Sequence, residues 1–160
     1  MTKRYLLNFL LFLLVIFIQT YFGMTIFLSS FLNIILIFLI FTFFYFSPYY
    51  LFFLIFLASI IFDTLSSFAW GTHLIIFVAC FGIGLLLMKF FEKSYFFPRL
   101  IIGNIIIAIY FLGFLILNLI FKTSPFYLII LQQLIFTLMG YILFSFLFEK
   151  VKHIKLYNHY

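Results

Sequence analysis

Leu51-Phe-Phe-Leu-Ile-Phe-Leu-Ala-Ser-Ile-Ile-Phe-Asp63-Thr-Leu65 is an apolar run that, extended by Tyr49-Tyr50 before it and Phe68 after it, is long enough to cross a bilayer, and it carries a carboxylate. Asp63 is the only acidic residue between Met1 and Phe91. Ionisable side chains in hydrocarbon cost at least roughly 2.5 to 3.5 kcal/mol on insertion scales, so those that remain face a protein interior, a cavity or the interface and are candidates for function. The run therefore sets two questions: what kind of fold contains it, and what Asp63 does there.

Outward from this run the chain keeps the same character. Of its 160 residues 69% are hydrophobic and 8% charged, with mean hydropathy +1.41, whereas ordinary soluble domains run near 25% charged. The expected class is an all-α polytopic membrane protein, one integral membrane domain over residues 1–160. Six apolar segments of about 20 residues use about 120 positions and leave short loops and tails, with no room for a separate soluble domain. Thirty phenylalanines add bulk and no chemistry. The single cysteine, Cys80, excludes an intramolecular disulfide framework and a multi-cysteine metal site. The net charge of +6 comes from basic residues just outside apolar segments, which fits anionic membrane lipids as partners rather than nucleic acid.

The segments are expected at about 5–22, 25–46, 49–68, 72–91, 100–121 and 125–148. Gly23 ends the first, Ser47-Pro48 separates the second from the third because proline disfavours helical geometry in the residue before it, and Gly71 separates the third from the fourth. Glu92-Lys93-Ser94 and Pro98-Arg99 mark the longest loop, and Pro125 suits a first helical turn. Six spans with a cytoplasmic N-terminus place Lys3, Arg4, Lys89, Lys93, Arg99, Lys150, Lys152 and Lys155 inside and Lys122 outside, so eight of nine basic residues obey the positive-inside rule. Both termini are then cytoplasmic. Fusing the second and third segments would give five spans and put the Lys89–Arg99 cluster on the wrong side. The first segment follows Lys3-Arg4 but ends in Gln19-Thr-Tyr-Phe-Gly-Met24 without a small-x-small cleavage site, so a retained anchor is expected.

In this topology Asp63 lies about 14 residues, or roughly 21 Å, from the cytoplasmic end of its helix, near the outer interface. Two structural roles are open to it: bonding backbone N–H groups of the Ser66-Ser67 turn, or pairing with His73 at the start of the next helix. Proton or cation handling would call for companion acids, and Glu92 and Glu149 both sit at the cytoplasmic boundary. His73 has no second histidine in any apolar segment, so no metal site is expected, and no cofactor. Asn104, Asn118, Gln132 and Gln133 are expected to join helices or line a small-molecule cavity; Gln132 and Gln133, being adjacent, cannot both face one site. Gly82, Gly84, Gly103, Gly113 and Gly140 are expected at close helix approaches. No Ser-His-Asp or Cys-His arrangement, carboxylate pair or phosphate-binding glycine loop is present in the sequence, which points away from an enzyme.

The pattern Asp63-x-Leu-Ser66, four residues, Gly71, two residues, Leu74, followed by an apolar helix with small residues and a basic boundary at Lys89 to Lys93, resembles the rod shape-determining protein MreD family. Length, six spans and the place of this pattern between the third and fourth spans are also similar to that family. The resemblance implies a non-enzymatic scaffold in the inner membrane of a bacterium, part of the cell-elongation machinery. It also implies partners: an MreC-like periplasmic scaffold and, directly or through it, a penicillin-binding protein, a RodA-type glycosyltransferase and the MreB filament. Asp63, Ser66, Gly71 and His73 are the candidate motif residues. The alternative is a substrate-capturing subunit of an energy-coupling factor vitamin transporter, a class similar in size and fold; such a subunit is expected to carry a small-residue face on its first helix, where this chain has Leu-Leu-Asn-Phe-Leu-Leu-Phe-Leu-Leu-Val.

Overall fold

A computed structural model describes residues 2–25, 32–65, 70–91, 95–121 and 127–157. It contains six helices, and no strand among the described residues: α1 (Thr2–Thr25), α2 (Ile34–Tyr45), α3 (Pro48–Leu65), α4 (Thr72–Leu87), α5 (Phe96–Phe121) and α6 (Tyr127–Tyr157). Three of them contain stretches long and apolar enough to cross a membrane, Lys3–Tyr21, Phe96–Ile120 and Leu128–Lys150; α2, α3 and α4 are shorter apolar helices. Helices suit such a sequence because a segment in lipid must satisfy every backbone N–H and C=O within itself.

Successive helices pack side by side: α3 on α4, α4 on α5, α5 on α6. The short α2 sits at the centre, touching α1, α3, α5 and α6, and Leu36, Leu39 and Ile40 on it are fully buried. The core continues through Leu54, Ile55 and Ala58 of α3, Phe77, Cys80 and Phe81 of α4, and Ile102, Ile106 and Ile107 of α5. Cys80 is a packed thiol in this core. By contrast α1 lies at the edge, with Leu6, Leu7, Leu10, Leu13, Leu14 and Phe17 exposed.

The helix limits depart from the sequence expectation where a specific polar group intervenes. The second helix begins at Ile34 with Asn33 as its N-cap, the Asn33 Oδ1 accepting from the Leu36 N–H at 2.9 Å, while Thr25 belongs to α1 and most of the expected 25–33 stretch lies outside the described residues. An N-terminus of this kind among apolar helices needs its other backbone groups satisfied. Gln19 of α1 supplies this, accepting from the Ile34 N–H at 2.8 Å and donating to the Leu32 C=O at 3.1 Å, while Thr137 of α6 accepts from the Asn33 N–H at 3.1 Å. The first helix runs through Gly23 to Thr25. The fourth ends at Leu87 rather than 91, where the chain tightens into i→i+3 bonds, Lys89 N–H to Leu86 C=O and Phe90 N–H to Leu87 C=O. The fifth starts at Phe96 with Pro98 in its first turn, where a missing N–H breaks no helical bond. The sixth extends past 148 to Tyr157.

Gly103 admits the Tyr141 ring of α6 against α5: a Cβ there would collide with that ring. Gly84 is similarly pressed by Ile106 and Phe43. Gly82 differs from the expectation, since a Cβ there would meet open space.

Candidate functional site

The α3–α4 junction is built around Asp63. Gly71 stands at the N-cap of α4 with φ +90°, a left-handed conformation that favours glycine, and it offers no side chain to cap the helix. Asp63, reaching across from α3, supplies the missing acceptor. Its Oδ2 accepts from the Gly71 N–H at 2.6 Å and its Oδ1 from the His73 N–H at 3.1 Å, so one carboxylate takes two of the donors that a helix N-terminus leaves unpaired. The same Oδ1 lies 2.7 Å from the His73 Nδ1. Asp63 and His73 are 4% and 2% exposed, so this pairing is removed from solvent. A carboxylate at a helix N-terminus is also favoured by the helix dipole.

Of the two structural roles open to Asp63, pairing with His73 and the start of α4 is therefore observed. Ser66, the fourth residue of the candidate motif, and its neighbour Ser67 lie outside the described residues, as does Glu92. Asp63, Gly71 and His73 come together as one unit.

The His73 imidazole is held between Phe62, stacked at 5.3 Å, and Phe114 at 5.7 Å. These rings form one wall of a cavity of about 190 Å³ that is also lined by Asn33, Tyr110, Phe111 and Gln133. Gln133 faces this cavity and Gln132 is exposed, the divergence that adjacency on a helix dictates. Asn118 bonds back to the Phe114 C=O of its own helix at 2.9 Å. The Asn104 Oδ1 is buried with no hydrogen-bond partner among the described residues.

A second polar cluster lies at the opposite end of the bundle and was not anticipated from sequence. Arg99, expected in a loop, is 8% exposed and sits in the first turn of α5. It donates to the Glu149 Oε2 of α6 at 3.1 Å and to the Tyr45 hydroxyl of α2, and its Nε donates to the Tyr95 C=O at 3.1 Å. The Tyr141 hydroxyl, on the ring that Gly103 admits, donates to the Arg99 C=O at 2.9 Å. The available signal was topological: Arg99 and Glu149 fall at the same predicted boundary, one at the start of a span and the other at the end of the next.

Among the described residues no group of three or more His, Cys, Asp or Glu side chains is placed to hold a metal ion. Comparison with protein-family models, with curated proteins and with solved structures returns no match.

Proposed function

We propose that the protein is a six-span scaffold of the bacterial inner membrane with both termini in the cytoplasm, similar in role to the rod shape-determining MreD family. In this reading it holds an MreC-like periplasmic scaffold and, through it or directly, the penicillin-binding and RodA-type enzymes and the MreB filament of cell elongation. The observation that carries the reading is the use made of Asp63. The residue on which the family resemblance begins spends its acceptors on the start of α4, with donors from Gly71 and His73, the other described residues of the same motif. Arg99 is likewise engaged in joining α2, α5 and α6. Polar groups spent on fixing helix positions leave the outer helix faces as the working surface, and α1 offers the barest of these, with Leu6, Leu7, Leu10, Leu13 and Leu14 exposed in one helix.

Mild crosslinking followed by purification is expected to recover MreC-like and penicillin-binding partners, and depletion is expected to round the cells. Recovery of an ATPase pair would overturn the proposal. One observation favours the second reading, vitamin capture: the aromatic-walled cavity of about 190 Å³ beside His73. Tight vitamin binding by the purified protein would select it.

A further inference from the structure

We propose that the groove between α1, α2 and α6 is a binding site for one anionic glycerophospholipid, its phosphate at Arg4 and one acyl chain along the groove. The groove has a volume of about 400 Å³, within the range of roughly 300 to 1,000 Å³ typical of small-molecule sites. Its depth is apolar, lined by Leu11, Phe38, Phe41 and Phe144, and Arg4 stands in its lining at the charged end of the bundle.

The arginine is held in place by its neighbours. One terminal nitrogen donates to the Tyr45 C=O at 3.2 Å, and the guanidinium lies 4.9 Å over the Phe46 ring. A guanidinium has five N–H donors, so most of the fork stays available to a phosphate. The local charge is complementary to an anion. Among the described residues no acidic side chain lines the groove, and Glu149, next to the groove-lining Phe148, is paired with Arg99. Lys3 and Lys150 add positive charge at the same end.

Asn8 lies one turn further along α1, about 6 Å along the axis, on the same face as Arg4. Its carboxamide lines the groove, and its Oδ1 is buried with no hydrogen-bond partner among the described residues. The amide N–H of Asn8 is at the depth where a phospholipid carries its ester carbonyls, directly below the phosphate, and can donate to one of them. Charge favours an anionic lipid over an apolar partner helix: the free donors of Arg4 stand in the lining, with no acidic side chain among the described lining residues to occupy them. The proposal does not depend on the scaffold reading.

The test is native mass spectrometry of the purified full chain released from nanodiscs of phosphatidylcholine containing a minor fraction of phosphatidylglycerol. The wild type is expected to retain one phosphatidylglycerol in preference to phosphatidylcholine. Arg4→Gln is expected to reduce that preference about fivefold, the factor carried by one basic residue at a lipid surface. Leu11→Trp, at an exposed position whose indole would fill the groove, is expected to abolish retention of either lipid, and Asn8→Leu to shorten it. Equal retention of the two lipids by the wild type would overturn the proposal, as would unchanged retention in Arg4→Gln and Leu11→Trp with unaltered thermal stability. A second copy of the chain or a partner protein crosslinking from position 11 in place of lipid would overturn it too.

Discussion

Replacing Asp63 separates a structural carboxylate from a chemical one. In Asp63→Asn the amide oxygen can keep the place of Oδ1, which serves both the His73 N–H at 3.1 Å and the His73 Nδ1 at 2.7 Å, while the amide nitrogen takes the place of Oδ2 and faces the Gly71 N–H. One bond is lost, and one partly buried donor is left facing another donor, a cost of about 1 to 2 kcal/mol. Asp63→Ala strands all three donors. At about 1 to 2 kcal/mol for each, the expected loss is roughly 3 to 6 kcal/mol, a large share of the roughly 5 to 15 kcal/mol that holds a typical domain folded. For a chain of this size 1 kcal/mol moves the midpoint by about 2 to 4 °C, so thermal unfolding of the purified protein should show a drop of a few degrees for Asn and of about 6 °C or more for Ala. In cells, Asp63→Asn should insert normally and keep most function. The reasoning is refuted if Ala and Asn unfold together, or if Asp63→Asn abolishes cell shape with stability and protein level unchanged, because the charge itself would then be doing the work.

Gly71→Ala should cost about 1 kcal/mol from backbone conformation alone, since φ is +90° and a Cβ would meet nothing within 4 Å; Gly71→Asn, which tolerates this region better, should cost less in the same melts. Gly103→Ala should cost more than Gly71→Ala because its Cβ collides with the Tyr141 ring, and the double variant Gly103→Ala/Tyr141→Leu should be more stable than Gly103→Ala alone, a coupling that a double-mutant cycle measures. Arg99→Met should destabilise by about 2 to 4 kcal/mol by removing the bonds to the Tyr45 hydroxyl and to Glu149, and adding Glu149→Leu should recover part of the loss. Asn33→Ala removes the α2 cap and should cost about 1 kcal/mol by thermal unfolding.

The helical class and all six helices were legible because an apolar run is a local signal. So was the pairing of Asp63 with His73, since the turn between α3 and α4 brings residues ten apart in sequence to one junction. Helix limits were less legible wherever a distant side chain sets them. Nothing in the sequence around Asn33 announces that Gln19 and Thr137 will satisfy the backbone at Ile34 and Asn33, so the apolar pattern alone did not mark Ile34 as the start of α2. Pro98 read as a loop residue because proline breaks helices in their interior, whereas it lies in the first turn of α5, where it breaks no bond. The Arg99 cluster stayed hidden because Tyr45, Arg99 and Glu149 are about 50 residues apart from one to the next, and their meeting depends on α5 and α6 closing over Gly103. Gly71 could be read as a break, but its left-handed backbone and its need for a carboxylate from another helix belong to the folded junction.

The proposal that the protein is a scaffold working through its outer helix faces meets its sharpest test in photocrosslinking in living cells from single positions on the bare face of α1, such as Leu10 and Leu14, with Phe12, which is fully buried, as the control. Adducts with an MreC-like single-span protein or a penicillin-binding protein from Leu10 and Leu14, and none from Phe12, are the predicted result. An ATPase-linked membrane subunit captured at those positions instead would overturn the scaffold proposal.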